Sequence, residues 1–115
     1  MSNVVLDASA LLAFLHNEKG AERVAKNVHG AIISTVNLTE VMTKLFEKGL
    51  TRETIQRILK ALHLEMVNFD AEMASKAAEL RLITRHLGLS LGDRACLAVA
   101  EQLNLPVLTT DKQWT

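Results

Sequence analysis

The sequence predicts an α/β fold in which a short, mostly parallel sheet lies between two layers of helices. Predicted strands and helices alternate along the chain, as they do in parallel sheets with crossover helices. The strands are continuous apolar runs, which is typical of strands covered on both faces. The chain has 115 residues, of which 49% are hydrophobic, so residues 1–115 suffice for a single domain with a packed core.

The first third of the chain contains two predicted strands and two predicted helices. Residues 4–6 form an apolar run that predicts a buried strand. A helix is expected over residues 9–16, and a second, short helix over residues 19–28. Gly30 then introduces the second strand, at residues 31–34. The order is that of a strand followed by a crossover to a neighbouring parallel strand.

The middle of the chain has the clearest helical pattern. Residues 37–48 carry apolar side chains at the spacing of one helical face, and Gly49 is suited to end this helix. Thr51 is placed to begin another helix, and residues 64–67 predict a third strand. The apolar face of the first of these helices comprises Leu38, Val41, Met42, Leu45 and Phe46.

The last third of the chain predicts two helices and a final strand. Asp70 is placed to cap an alanine-rich helix that reaches about residue 83. Residues 88–92 predict a loop, and a nearly all-apolar helix then runs to Leu103. That helix is too apolar for a surface position. Residues 106–109 complete a set of four short strands.

Composition excludes several classes of protein. Thirteen basic and thirteen acidic side chains cancel, so a nucleic-acid role would depend on local chemistry and not on bulk positive charge. Cys96 is the single cysteine, which excludes a disulfide framework and a cysteine zinc cluster, and it is expected to be a small buried residue. There is no apolar run of membrane-spanning length and no signal-peptide pattern, so a cytoplasmic location is expected.

Four carboxylates fall where the predicted strands end. Asp7 directly follows the first strand, and Asp111 directly follows the last. Glu40 lies about one turn into the helix after the second strand, and Asp93 lies at the start of the buried helix. Ligands of open parallel sheets bind outside the carboxyl ends of the strands. The sequence therefore predicts that these four acids converge on one edge of the sheet.

Each of these acids also has an ordinary structural role open to it. Asp7 fits the N-cap of the following helix, and two of the other acids fit capping boxes. For any one acid taken alone, the structural role is the simpler interpretation. The four together are harder to explain by capping. The structural partners would be Asn37 for Glu40 in one box, Ser90 for Asp93 in the other, Lys44 in an ion pair with Glu40, and Trp114 in a final turn capped by Asp111.

Four carboxylates around one point repel each other, so a cation must neutralise them or some must stay protonated. A hard divalent ion with oxygen ligands suits such a site, and Mg²⁺ or Mn²⁺, as one or two ions, is expected. No histidine is placed with the acids, which argues against zinc. Such ions activate water and stabilise the leaving oxygen of a phosphodiester. A metal-dependent nuclease is therefore one hypothesis, which the residues alone favour only weakly over a phosphatase.

Four motifs in order, VVLDASA, STVNLTEV, LSLGDRACLAVA and VLTTD, resemble the PIN domain and, more narrowly, the VapC-type toxins of toxin–antitoxin pairs. The resemblance covers nearly the whole chain. It implies a Mg²⁺- or Mn²⁺-dependent endoribonuclease that hydrolyses RNA by metal-activated water. It also implies a cognate VapB-type antitoxin as inhibitor and a homodimer.

The resemblance assigns roles to seven residues. Asp7, Glu40, Asp93 and Asp111 correspond to catalytic, metal-binding carboxylates. Ser9 and Thr109 correspond to supporting polar neighbours that bond a carboxylate or a metal-bound water. For these two, capping of a helix or strand end is the alternative. Arg94 follows the third acid and corresponds to a contact with a carboxylate or an RNA phosphate, with a plain surface position as the alternative.

Two departures from the family pattern leave other functions open. Many relatives carry a further acid shortly after the fourth motif, where this chain has Gln113 and Thr115. Relatives also continue into another short edge strand, which leaves open whether this chain lacks it. A PIN fold kept as a catalytically weak or inactive binding module is therefore an alternative. A phosphatase or phospho-acceptor using Asp7 is a further one, although Ser9 stands where such enzymes carry a second aspartate.

Overall fold

Within residues 3–111, the sheet has four strands, all parallel, in the order β3-β2-β1-β4. These positions come from a computed structural model that describes residues 3–111. The predicted α/β class and the predicted number of strands are both confirmed. The strands are β1 (Val5–Leu6), β2 (Ile32–Ser34), β3 (Glu65–Val67) and β4 (Val107–Leu108).

Six α-helices cover the two faces of this sheet within residues 3–111. The first four pack on one face and the last two on the other, which gives the predicted three layers. A short 3₁₀ helix, Arg85–Leu87, follows the fifth. The helices are α1 (Ala8–Leu15), α2 (Ala21–Ala25), α3 (Thr35–Glu47), α4 (Arg52–Ala61), α5 (Ala71–Thr84) and α6 (Leu91–Leu103).

Strand register explains why both faces of the sheet are apolar. Successive residues of a strand point to opposite faces, so a continuous apolar run supplies two cores. Val5 of β1 is paired with Ile32 and Val107, and this row packs against α5 and α6. The next row packs against α1 to α4 on the opposite face, and its members are Leu6, Ile33 and Leu108.

Three predicted helix ends are confirmed by their hydrogen bonds. The Thr51 hydroxyl accepts a hydrogen bond from the Thr54 amide and caps α4. The Asp70 carboxylate accepts one from the Met73 amide and caps α5. Gly49 follows α3 with a φ of 93°, a conformation that favours glycine and ends the helix.

The predicted start of α3 is wrong. The helix begins at Thr35, because the Ser34 hydroxyl accepts a hydrogen bond from the Val36 amide and caps the helix directly at the end of β2. Asn37 therefore lies inside the first turn and cannot be the N-cap. The predicted capping box from Asn37 to Glu40 does not form, although the two side chains do contact each other.

Two other elements differ from the prediction by more than one residue at a boundary. α6 begins at Leu91, so Gly92 belongs to its first turn and the predicted loop over residues 88–92 is shorter. α2 covers only Ala21–Ala25 instead of residues 19–28, because Gly20 at φ 94° precedes it and cannot extend the helix backwards. No helix in the described part of the chain is long and apolar enough to cross a membrane. The expectations for Gln113, Trp114 and Thr115 fall outside the described residues.

Replacing Ile33 with Ala should lower the free energy of unfolding by about 2–5 kcal/mol, because Ile33 is fully buried and its removal leaves a cavity in the sheet. Met66 is its register partner in β3 but is 47% exposed, which makes Met66→Ala a matched control with a smaller expected loss. Urea denaturation followed by circular dichroism measures both. Equal losses in the two variants would contradict the placement of the core.

Candidate functional site

A cavity of about 350 Å³ lies beside the carboxyl ends of the strands and is lined by all four predicted acids. Nothing among its described lining residues is a Lys, Arg or His. The predicted convergence of the acids at this edge is thus what the structure shows. We call this cavity the acidic pocket; its lining is Asp7, Ala8, Ser9, Asn37, Glu40, Gly88, Ser90, Asp93 and Asp111.

Asp7 both caps a helix and lines the acidic pocket. Its Oδ1 accepts hydrogen bonds from the Ala10 amide at 2.9 Å and from the Ser9 hydroxyl at 2.8 Å. Its Oδ2 accepts one from the Thr109 hydroxyl. The side chain is only 4% exposed. The structural and the functional interpretations of Asp7 are therefore compatible, because the cap fixes the carboxylate at the pocket wall.

Burial raises the pKa of Asp7 above its usual value of 3.8. Hydrogen bonds from Thr109, Ala10 and Ser9 act in the opposite direction, and the nearby Asp93 carboxylate raises the pKa further. The desolvation of the charge outweighs the donors that stabilise it. An ionised Asp7 therefore sits in a place that favours a neutralising cation.

The segment that follows β4 is held by hydrogen bonds to Asp7, Ser9 and Arg23. The Thr109 hydroxyl, which bonds Asp7, also accepts a hydrogen bond from the Asp111 amide at 3.0 Å. The Ser9 hydroxyl accepts one from the Thr110 amide at 3.2 Å. Arg23 of α2 donates a hydrogen bond to the Thr109 carbonyl at 3.0 Å. These contacts fix the backbone that carries Asp111 against β1 and α1.

Asp93 is held by the capping box that the sequence predicts. The Ser90 hydroxyl accepts a hydrogen bond from the Asp93 amide at 3.1 Å, and the Asp93 carboxylate accepts one from the Ser90 amide at 2.9 Å. Asp93 thus lies in the first turn of α6. Its carboxylate is fixed beside the pocket by the same bonds that begin the helix.

Glu40 is held by Asn37, which the sequence pattern predicts to be an N-cap instead. The Asn37 side-chain amide donates a hydrogen bond to Glu40 Oε1 at 3.0 Å, one turn away on the same helix. The predicted ion pair between Glu40 and Lys44 does not form; Lys44 lies 3.9 Å from Glu47 instead. The structure thus turns the Glu40 carboxylate toward the acidic pocket.

Comparison with known proteins agrees with this arrangement. The family model of the PIN domain matches residues 4–115. The chain belongs to the PIN domain family. Comparison with curated proteins found no match.

Two solved structures share the fold of this PIN domain. A toxin–antitoxin complex from Klebsiella pneumoniae matches with a TM-score of 0.76 and 22% sequence identity, over 97% of this chain and 90% of that one. A DNA-bound VapBC from Salmonella typhimurium matches with a TM-score of 0.71 and 21% identity, over 99% of this chain and 91% of that one. At these identities the likeness shows a shared fold.

Arg94 lies away from the acids of the PIN domain. Its guanidinium donates a hydrogen bond to the Ala77 carbonyl at 3.0 Å, so it joins α6 to α5. It is not among the residues that line the acidic pocket. Within residues 3–111, Arg94 therefore makes no hydrogen bond or ion pair with a carboxylate. The contact with an RNA phosphate that the resemblance also implies stays a prediction. Adjacent residues of a helix point about 100° apart, which separates Arg94 from Asp93.

Cys96 is fully buried and free, as expected from the sequence. Burial raises the pKa of its thiol, and the negative charges of Asp7, Asp93 and Glu40 raise it further. The thiolate is the reactive form of cysteine. Cys96 therefore serves as a small apolar residue below the pocket.

The donor chemistry of the acidic pocket fits a hydrated divalent cation. Within residues 3–111 no three His, Cys, Asp or Glu side chains are grouped closely enough to hold an ion directly. Mg²⁺, however, is usually held through one or two carboxylates and keeps several of its waters, so such a group is not required. The four carboxylates that line the pocket can supply oxygen ligands of the kind that Mg²⁺ prefers.

Replacing Asp7 with Asn should raise the melting temperature of the metal-free protein at pH 7. Because the folded pKa of Asp7 lies above the unfolded value of 3.8, ionised Asp7 opposes folding above the folded pKa. This destabilisation decreases as the pH falls through the folded pKa, and it is absent well below pH 3.8, where Asp7 is protonated in both states. The Asn amide can still accept from Ala10 and donate to Thr109. Thermal melts in EDTA from pH 3 to pH 8 measure the gain.

The control for this prediction is Asp70→Asn, which changes an exposed capping aspartate on α5. It should not reproduce the gain in melting temperature at neutral pH. If Asp7→Asn melted below the parent protein at pH 7 in EDTA, burial would not be the dominant influence on Asp7.

Proposed function

We propose that this PIN domain is a VapC-type toxin, a Mg²⁺- or Mn²⁺-dependent endoribonuclease that is inhibited by a cognate antitoxin. The observation that carries the proposal is the acidic pocket, in which the carboxylates of four acids that are distant in sequence line one cavity. Family membership supports a nuclease, and the fold shared with toxin–antitoxin complexes supports the toxin class.

In this proposal Asp7, Glu40, Asp93 and Asp111 hold one or two divalent ions, one or two of the acids directly and the others through the waters that such an ion keeps. A bound ion would orient a water, lower its pKa and stabilise the leaving oxygen of the phosphodiester. The contribution of the chain is to hold the carboxylates in place before substrate arrives. Asp7 is fixed by three donors and Asp93 by a capping box, so neither has to reorganise on binding.

The structure offers nothing in favour of a phosphatase or phospho-acceptor that uses Asp7. A nucleophilic carboxylate needs an oxygen that can reach phosphorus. Both oxygens of Asp7 accept hydrogen bonds, and the side chain is 4% exposed. Oδ1 already accepts two hydrogen bonds, and no contact of Oδ2 identifies it as a nucleophile, so the proposal assigns Oδ2 to ion binding.

Replacing Asp93 with Asn should reduce RNA cleavage by at least about 100-fold, since loss of a ligand should exceed the 10–100-fold effect typical of an outer-shell partner. Asn can still accept the Ser90 hydrogen bond, so the helix cap is retained. A labelled RNA, incubated with Mg²⁺, reports the rate and the expected 5′-phosphate and 3′-hydroxyl products. The same sequence made as DNA tests the preference for RNA.

Asp70→Asn is the matched control, because Asp70 caps α5 through the same kind of bond but is not among the residues that line the acidic pocket. Both variants change one capping aspartate to asparagine, and only Asp93→Asn should lose activity. Cleavage by Asp93→Asn at the parental rate would refute the assigned role of Asp93.

Calorimetric titration with Mn²⁺ separates the nuclease from an inactive binding module. The parent protein should bind Mn²⁺, and Asp93→Asn should bind it more weakly. Bound ion should also raise the free energy of unfolding, by about 2.7 kcal/mol at an ion concentration 100 times the dissociation constant. A parent protein that neither binds Mn²⁺ nor cleaves RNA would favour the binding module.

The antitoxin and the homodimer also belong to the proposal. Expression of the chain should inhibit growth of the host, and expression of the neighbouring gene for a small DNA-binding protein should relieve that inhibition. Co-purification of the two proteins and sedimentation of the toxin alone measure the complex and the dimer. Inhibition that persisted with Asp93→Asn would show that toxicity does not depend on the acidic pocket.

A further inference from the structure

Two residues that the sequence does not predict as site residues lie against the Glu40 carboxylate, Asn37 on its own helix and Gly92 on α6. We propose that Asn37 of α3 and Gly92 of α6 are positioning residues that hold this carboxylate in the acidic pocket. The proposal rests on the proposed function only for the identity of the ion. The positioning itself is a property of the metal-free protein and can be tested without an ion.

Asn37 fixes Glu40 from its own helix. Asn37 is 1% exposed, and its Nδ2 donates hydrogen bonds to Glu40 Oε1 at 3.0 Å and to the Gly92 carbonyl at 3.0 Å. Both N–H groups of the amide are therefore used. Exchanging its oxygen and nitrogen would place three acceptors together, so these contacts determine the orientation of the amide.

The other end of the Asn37 amide indicates that stability alone does not explain the residue. Its Oδ1 is buried and has no hydrogen-bond partner among the described residues. A buried acceptor without a partner is unfavourable, and most native proteins avoid it. The unpartnered Oδ1 of Asn37 is thus retained, while its two N–H groups join Glu40 to the first turn of α6.

Gly92 leaves the space that the Glu40 carboxylate occupies. A Cβ on Gly92 would lie 2.5 Å from Glu40 Oε1 and 2.7 Å from Oε2, closer than real Cβ atoms approach oxygen. Gly92 itself is buried in the first turn of α6, next to Asp93. The absence of a side chain therefore lets Glu40 approach the turn that carries the third acid.

The two contacts act together on one carboxylate. Asn37 bonds the carboxylate and the Gly92 carbonyl at once, and Gly92 accommodates the carboxylate against its own Cα. Glu40 is thereby held between α3 and α6, although glutamate has three flexible side-chain torsions. Loss of either contact should release the carboxylate without removing it.

The first test measures thermal stability in EDTA and needs no ion. Alanine is a better helix former than glycine, so Gly92→Ala should raise the melting temperature once Glu40 is out of the way. In the Glu40→Ala background we expect that rise. In the parent background the new Cβ must displace the Glu40 carboxylate, and the rise should be smaller or reversed. An equal change in both backgrounds would overturn the role of Gly92.

The second test measures Mn²⁺ affinity by calorimetry. Asn37→Leu removes both donors at similar size and should weaken Mn²⁺ binding by about 10–100-fold, as does loss of other outer-shell partners. In the Glu40→Ala background the same change should weaken binding little further, because Asn37 acts through Glu40. Equal losses in the two backgrounds would contradict this role.

Asn27→Leu is the matched control for Asn37→Leu. Asn27 also donates a side-chain hydrogen bond to a backbone carbonyl, that of Arg23 at 3.3 Å, but it is not among the residues that line the acidic pocket. Mn²⁺ affinity should not change in this variant. If Asn37→Leu fails to fold, Gly92→Ala carries the metal test, since it should weaken Mn²⁺ binding for the same reason.

The two tests separate this proposal from the proposed function. A parent protein that binds no Mn²⁺ would refute the metal-dependent function. The positioning of Glu40 would still be tested by whether the effect of Gly92→Ala on the melting temperature depends on Glu40. A different outcome would refute the positioning alone. In that case the parent protein binds Mn²⁺ strongly, the effects of Gly92→Ala and Glu40→Ala on the melting temperature are additive, and Asn37→Leu binds Mn²⁺ as well as the parent.

Discussion

The buried carboxylate of Asp7 is the interaction on which the acidic pocket depends. A charge at 4% exposure is unfavourable, and it is tolerated because three donors surround it. Two of these donors, from Ser9 and Ala10, belong to α1, and the third comes from Thr109 at the end of β4. The charge therefore ties the first helix to the last strand, across about 100 residues of chain.

The parallel sheet and the start of α6 together determine where the remaining acids lie. The strands end at the same edge, so Glu40 in the second turn of α3 and Asp111 shortly after β4 lie there, and α6 begins beside them with Asp93 in its first turn. Asp7 and Asp93 also lie at the starts of α1 and α6, where the helix dipole favours a negative charge by about 0.3–1 kcal/mol each. The helices thus offset part of the repulsion that convergence of the acids creates.

The features that depend on local sequence pattern, the strands and the positions of the four acids, were predicted from the sequence. Apolar runs predicted the strands, and positions at strand ends and helix starts predicted the four acids. Asn37 was assigned to a cap because it precedes Glu40 at the right spacing, but Ser34, three residues earlier, competes for the same role and begins the helix. The sequence pattern allows either Ser34 or Asn37 as the N-cap of α3, and the position at which β2 ends determines that it is Ser34.

Contacts between distant segments could not be predicted in this way. Arg23 donates a hydrogen bond to a backbone carbonyl 86 residues away. Every residue has such a carbonyl, so the residue types do not indicate which one is the acceptor. Arg94 was placed with the acids because it follows Asp93, but the rotation of the helix turns it toward Ala77. Gly92 was assigned to a loop, since nothing local indicates that a glutamate from another helix fills the space beside it.

Three departures from locally favourable structure meet at the acidic pocket. Asp7 is ionisable and buried, the Oδ1 of Asn37 has no partner among the described residues, and Gly92 stands in a helix where alanine would be favoured by about 1 kcal/mol. Asp70 shows that a capping aspartate need not be buried, since it caps α5 while exposed. Capping alone therefore does not explain Asp7.

Locally unfavourable features are retained in proteins where the surrounding structure stabilises them, often at functional sites. Here all three features affect how the carboxylates are arranged around one cavity. Because all three lie at the same cavity, they are best explained by a requirement for the carboxylate arrangement. Stability alone would favour apolar residues or alanine at these positions.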